Sequence, residues 1–329
     1  MPNWNYVLRE IQKEPNDPSG GESASDKIRK KYLQQLHDHT GRNIICYYSG
    51  WLSKPNVEGS EINDEDKNGL MLCIHGMDRK KGLDLFLHTP GGNGAATESL
   101  VHYIRQMFGD DVRAFVPQLA MSAGTIIACS CKEIYMGKHS NLGPVDPQIN
   151  GIPAYAVTEE IERAYNEIKA DPDKAMIWQL MMQRITPGFV QQCHWAIEAG
   201  REMVAKFLRA NMLSHLPDGQ RETVTEEIAH KLSKIAGRKG HDNHLHADEC
   251  ISIGLVIKDL EDPADKKLQD LVLTVHHCFI YTLSNTPAFK IIENHVGRRY
   301  VKIVQTMLMP MPMPMTPPPD GPPGGAVAH

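Results

Sequence analysis

The sequence predicts an α/β fold built on a mostly parallel sheet, and three observations carry that prediction. Between residues 83 and 136, short runs rich in strand-forming residues alternate with segments of helical periodicity. Each run stops at a turn signal, Pro90-Gly91-Gly92 after the first and Pro117 after the second. The chain has 329 residues and is 41% apolar, enough to bury the core of one large domain or two small ones.

The elements follow in order. Residues 1–24 are polar, with Pro, Gly and Ser clustered from Pro15 to Ser23, and read as a loose arm. Ser25 or Asp26 can cap a helix running to about His37, with Ile28, Tyr32, Leu33 and Leu36 on one face. Ile44 to Tyr48 reads as a strand, residues 56–67 as a polar loop, and Leu70 to Ile74 as a buried piece of a short helix. Leu83 to His88, Val112 to Val116 and Ile134 to Met136 are strands, and Leu100, Ile104 and Phe108 mark the helix between the first two. Residues 157–236 are helical by periodicity, broken at Asp171-Pro172, Pro187-Gly188 and Pro217-Asp218-Gly219. A polar, His-rich stretch spans 237–248, a short apolar element 251–257, and a helix 268–283. Eight of the 22 prolines and five of the 16 methionines fall after Thr306, a composition that cannot bury a core. The chain therefore divides into an arm (1–24), a body (25–304) and a disordered Met/Pro tail (305–329).

Charge and cysteine content narrow the function. With 35 basic and 40 acidic residues the net charge is −5, which offers no bulk attraction to nucleic acid or an anionic membrane. No apolar run approaches the ~20 residues that span a bilayer, and the first residues lack the pattern of an export signal. Seven scattered cysteines suit a reducing, cytoplasmic setting, and Cys129 and Cys131 read as buried small hydrophobes. His241, His244 and His246 lack strict zinc spacing and read as loop histidines, so neither metal nor cofactor is expected.

Two segments carry chemistry. In Leu87-His88-Thr89-Pro90-Gly91-Gly92 a strand ends in bare backbone, with N–H donors that no Cβ shields; an oxyanion hole needs such donors. In Ala120-Met121-Ser122-Ala123-Gly124-Thr125 a hydroxyl sits among small residues where a strand turns into a helix. There Ser122 could be a nucleophile beside free N–H groups, or simply an N-cap. The segments lie about 30 residues apart, joined by helix and strand, so a βαβ crossover can bring both to the carboxyl ends of the strands, where such sheets bind ligands. The second segment is not the G-x-S-x-G elbow of α/β-hydrolases.

These segments, with Val116-Pro117, Leu142-Gly143-Pro144-Val145-Asp146-Pro147-Gln148, Asn285-Thr286-Pro287-Ala288 and Lys290-Ile291-Ile292-Glu293, resemble the serine dehydrogenase proteinase family of the Clp-protease/crotonase superfamily. The resemblance runs from about residue 27 to 304. It implies a spiral of ββα units with a helical C-terminal part, and a peptidase whose acyl-enzyme forms on Ser122. The N–H groups of Gly92 and Ala123 would hold the oxyanion, with Gly91 shaping the turn. It also implies a homo-oligomer, trimer-based or ring-like, acting on peptides or unfolded protein.

The general base is the open position. Clp proteases carry a His after the nucleophile helix, where this chain has Val145 and Asp146; Asp146 is a candidate for a polar role or a turn residue. Signal-peptide-peptidase-type relatives use a Lys on the next helix, but its first turn here holds Thr158, Glu159 and Glu160, and Lys169 comes turns later. His241-Asp242, with Asp242 twelve residues before Gly254, resembles the Clp segment that holds the triad carboxylate: Asp242 would be that carboxylate, and His241 would act as the base or orient one. Lys138 and His139 are further options. Two other readings keep the fold, a catalytically degenerate scaffold that binds partners and a crotonase-like enzyme acting on acyl or thioester substrates.

Overall fold

A computed structural model of the chain describes residues 4–15, 21–239 and 243–304. The body is a mixed α/β structure around a seven-stranded sheet. The chain runs α1 (Trp4–Lys13), α2 (Ala24–Thr40), β1 (Asn43–Ser49), α3 (Asp66–Ile74), β2 (Leu83–His88), α4 (Gly94–Phe108), β3 (Val112–Val116), β4 (Leu119–Ala120), α5 (Ala123–Cys129), β5 (Glu133–Met136), β6 (Asn141–Leu142), β7 (Gln148–Ile149) and β8 (Ile152–Pro153). It continues α6 (Ala154–Ala170), α7 (Ala175–Met181), α8 (Pro187–Ala210), α9 (Asp218–Lys239), α10 (Ala247–Ile253), β9 (Ile257–Asp259), α11 (Lys266–Asn285), β10 (Ala288–Asn294) and β11 (Arg299–Ile303).

The sheet order is β11-β10-β1-β2-β3-β5-β9. The run from β1 to β9 is parallel, and β10 and β11 add an antiparallel edge. Strand alternation sorts side chains to two faces. Ile45, Tyr47, Leu85, Leu87, Ala114 and Val116 join the core on one face, with residues of α3, α4, α5, α8, α9 and α10. Ile44, Cys46, Tyr48, Phe86 and Phe115 join the core on the other, with α1, α2 and α11. Strands buried on both faces read as continuous apolar runs, which is why β1 and β2 are plain in the sequence.

The loose arm expected over residues 1–24 is corrected by α1: its Val7 and Ile11 are buried in the second core, against α2 and α11. The helix cap expected at Ser25 or Asp26 lies two or three residues earlier, because Ser23 is the N-cap and forms a capping box with Asp26. The stretch expected as one short apolar element over 251–257 is the end of α10 followed by β9. All seven cysteines are buried free thiols, Cys129 and Cys131 among them. Burial pushes the Cys131 thiol up to about 12, so it behaves as an apolar group. Among the described residues no helix is long and apolar enough to cross a membrane, and no group of three metal-ligating side chains comes together. The Met/Pro tail, 305–329, lies outside the described residues.

A second, smaller layer forms over the carboxyl ends of the parallel strands. Thr89, just past β2, pairs with Ala120 of β4; β4 pairs with β6; and Leu142 of β6 pairs with Leu245. This layer places the candidate site.

Candidate active site

The two turns meet. Thr89 N–H donates to Leu119 O at 3.1 Å and Met121 N–H donates to Thr89 O at 3.0 Å, so the backbone leaving β2 is stitched to the backbone that leads into Ser122. Gly91 (φ 104°) lies hard against the second turn. A Cβ placed there would stand 2.8 Å from Ser122 Cβ, 2.9 Å from Met121 O and 3.2 Å from Ala123 N. Only glycine permits this approach.

Gly92 is held from the other side. Ile62 N–H donates to Gly91 O (2.7 Å) and Asn93 N–H donates to Ile62 O (2.9 Å). In this parallel bridge the N–H and C=O of Gly92 itself point away from Ile62. A Cβ on Gly92 would collide with the Ile62 backbone at 2.3 Å. Among the described residues, the N–H groups of Gly92 and Ala123 donate to no acceptor, whereas the neighbouring Gly91 and Gly124 N–H groups are taken by Thr89 Oγ1 (3.2 Å) and Met121 O (2.7 Å). Two unspent donors thus flank the contact between Gly91 and Ser122.

Ser122 stands at the N-cap position of α5, yet its side chain makes no capping hydrogen bond. Its backbone has φ 48° and ψ −110°, a region that costs a non-glycine residue about 1–3 kcal/mol. The residue is half-buried, and among the described residues its hydroxyl has no partner. A plain cap would show a relaxed, extended backbone and a bonded hydroxyl. Here strain turns the side chain off the helix end and leaves it free.

Two residues that the sequence did not single out lock this turn. Thr125 Oγ1 is fully buried, donates toward Ala120 O and Gly143 O (2.9 Å each) and accepts from Gly143 N–H at 3.0 Å. Gly143 in turn backs the nucleophile turn, since a Cβ there would lie 3.0 Å from Ser122 N and 3.0 Å from Met121 Cα. Both stand in the quoted motifs, but no spacing rule marks them as supports. Ile62 carries no sequence signal at all.

Asp146 is 2% exposed, three residues past Gly143. Val145 N–H donates to Leu232 O of α9 at 3.2 Å, and α8 covers this stretch, with Gly200 facing Val145 and Pro147. The Asp146 charge reaches the half-buried Tyr155, whose hydroxyl is pushed up first by burial, against Ser233 and Arg201, which pull it down. Asp146 is thus buried in the stretch that α8 covers. Lys138 and His139 both face Glu261, at 3.3 Å and 3.8 Å. Lys169, in the last turn of α6, lies over the Tyr165 ring at 5.9 Å. His241 and Asp242 lie outside the described residues. The chain just after them is anchored beside the site, because Leu245 exchanges two backbone hydrogen bonds, at 3.0 Å and 2.9 Å, with Leu142, the neighbour of Gly143.

The arrangement suits acyl transfer. A free hydroxyl on a strained turn faces a glycine backbone with two unspent donors, so a carbonyl carbon at the hydroxyl could place its oxygen near the N–H groups.

Comparison with known proteins gives the family. The chain is 30% identical over 196 residues to the uncharacterized protein MJ0137 of Methanocaldococcus jannaschii, covering 59% of each. It is 28% identical over 196 residues to the uncharacterized protein MJ1495 of the same organism, covering 60% of this chain and 59% of the relative. The chain thus spans about three fifths of the length of these relatives. A family model described as ClpP-like SDH-type serine proteinase matches residues 27–271, three quarters of the chain and the whole of the site. The chain belongs to the ClpP-like SDH-type serine proteinase family.

Proposed function

We propose that this protein is a serine peptidase that cleaves peptide bonds through an acyl-enzyme on Ser122. The observation that carries the reading is the docking of Gly91 on Ser122 and Ala123, with the Gly92 and Ala123 N–H groups unspent beside a free hydroxyl. Ser122 attacks the substrate carbonyl, and the tetrahedral oxygen is held by the two N–H groups. Water then releases the acyl group. His241 takes the serine proton and returns it to the leaving amine, and Asp242 orients His241, following Ser–His–Asp logic. Support for that pair is the anchoring of Leu245 next to Gly143, three residues along the chain from Asp242. Asp146 shapes the polar wall under α8. The substrate is a peptide or an unfolded protein, and the working form is a homo-oligomer.

A fluorophosphonate probe tests this directly, since it phosphonylates an activated serine. Wild type takes up one probe per chain, Ser122→Ala takes up none, and His241→Ala and Asp242→Asn label at least 100-fold more slowly. Equal labelling of Ser122→Ala removes the nucleophile from this position. A wild type that stays unlabelled while its assembly is intact supports a non-catalytic scaffold instead.

A further inference from the structure

The first core face contains a buried ion pair that the chemistry above leaves unused. Lys290 of β10 and Asp66 of α3 have fully buried side chains. Lys290 Nζ donates to Asp66 Oδ1 (2.8 Å), to Asp66 Oδ2 (3.0 Å) and to the backbone carbonyl of Glu61 (2.8 Å). Tyr47 of β1 donates its hydroxyl to Asp66 Oδ2 at 2.7 Å, and Asn63 N–H donates to the same oxygen at 3.0 Å. The Lys290 ammonium also lies 5.6 Å from the centre of the Tyr47 ring.

The position of this pair matters more than its strength. A buried ion pair is poor evidence for stability, because desolvation of both charges offsets their attraction, and apolar replacements often do as well. This one grips the backbone on both sides of a single residue: the cation holds Glu61 O and the carboxylate holds Asn63 N–H. The residue between them is Ile62, whose own N–H and C=O clamp Gly91 O and Asn93 N–H around Gly92. On the other side Tyr47 has the Thr89 side chain as a polar neighbour, and Thr89 Oγ1 accepts the Gly91 N–H. One buried cluster therefore reaches the glycine turn along two routes, through Ile62 and through Thr89.

We propose that Lys290, Asp66 and Tyr47 are positioning residues that hold the Gly91-Gly92 turn in register with Ser122. The inference rests on the acyl-enzyme reading for its catalytic consequence, but the mechanical part stands alone. The cluster is buried, away from solvent. It sets where the Gly92 N–H points, and an oxyanion donor misplaced by an ångström loses most of its value.

Two variants and two readouts test it in the full chain. Tyr47→Phe removes one hydroxyl and keeps the ion pair. The double variant Lys290→Met with Asp66→Leu removes both charges together, so no lone charge is left buried. The first readout is hydrogen–deuterium exchange over residues 87–94, where exchange at least tenfold faster than wild type is expected in the double variant, with the sheet strands unchanged. The second is the kinetics of fluorophosphonate labelling. The expected result is a maximal rate reduced about 10- to 100-fold in the double variant and a few-fold in Tyr47→Phe, with probe affinity and final stoichiometry unchanged. A role in stability alone would lower the final stoichiometry and leave the rate constant of the folded fraction intact, and that result overturns the proposal. Wild-type exchange and wild-type rate in a folded double variant overturn it as well. If the double variant does not fold, Tyr47→Phe decides, and unchanged exchange and rate there count against the idea. If wild type itself is not labelled, the peptidase reading fails and the exchange measurement still decides the positioning claim.

Discussion

At Gly91 one missing methyl group separates a site from a turn. The ideal Cβ meets backbone atoms of the opposing turn, Met121 O at 2.9 Å and Ala123 N at 3.2 Å, which cannot step aside as a flexible side chain would. The residue also sits at φ 104°, where a side chain is strained whatever the space. Gly91→Ala should therefore push the two turns apart and slow labelling of Ser122 by about 100-fold or more, the scale of losing an oxyanion donor. Gly109→Ala is the matched control: its φ is 60°, but nothing lies within 4 Å of its Cβ. It should cost about 1–3 kcal/mol of stability and leave the labelling rate at the wild-type value. Equal rates for the two variants would mean that the Gly91 contact is not part of the machinery. At this scale the sequence was legible where chemistry is local. A Pro-Gly-Gly turn and a serine among small residues announce themselves, and the structure brings them into contact. The supports were hidden because they are long-range: Lys290 and Asp66 are 224 positions apart, and each alone reads as a solvated charge.

At the scale of elements, periodicity worked for the long helices from α2 onward and for strands that are apolar on both faces. It missed α1, and among the longer strands it missed β10 and β11. β10 is buried along its whole length, but it carries Lys290, Glu293 and Asn294, which break the apolar run that marks an interior strand. Those polar side chains are satisfied by partners far along the chain, Glu293 by Arg29 and Asn294 by the carbonyl of Cys73. The helices α6, α7 and α8 show the opposite mismatch. Met176, Ile177, Leu180 and Met181 of α7 are all exposed, as are Tyr165 of α6 and Trp195 of α8, while Trp178 alone anchors α7 inward. Such a concentration of exposed large apolar side chains is unusual for a surface that faces only water. As the contact surface of the proposed homo-oligomer it would be covered. The double change Ile177→Asp with Leu180→Asp should then shift native mass toward the 36.8 kDa of a single chain, with an unaltered circular dichroism spectrum. An unchanged native mass would place the contact elsewhere on the molecule.

For the whole molecule, the second core face carries a consequence for acid stability. His88 is packed among Tyr48, Trp51 and His276, with ring centres at 5.4, 4.5 and 5.5 Å. Burial alone pulls its imidazole from the ordinary 6.5 down to about 3. His276 is pushed well below its usual range by burial, then by the charges of His88, His277 and His139. His295, stacked on His37 at 4.0 Å, is brought down to about 4, again first by burial. In each case the folded protein resists the proton that the unfolded chain accepts. As pH falls below 6.5 the unfolded chain binds protons first, so stability drops, and for each group the drop continues until pH reaches the folded value. The slope is about 1.4 kcal/mol per pH unit for each histidine. Ordinary carboxylates titrate near 4, so the window from pH 6.5 to 5 isolates the histidines from the loss of ion pairs such as Asp111 with Arg42, whose carboxyl is held down at about 2. Urea titrations at half-unit steps across that window should show a combined slope of about 3–4 kcal/mol per pH unit. His88→Leu keeps the packing apolar and removes one titrating group, so its slope should be shallower by about 1.4 kcal/mol per pH unit. A flat profile in wild type, or the same slope in both proteins, would show that these rings take up protons without unfolding the face that α1, α2 and α11 cover.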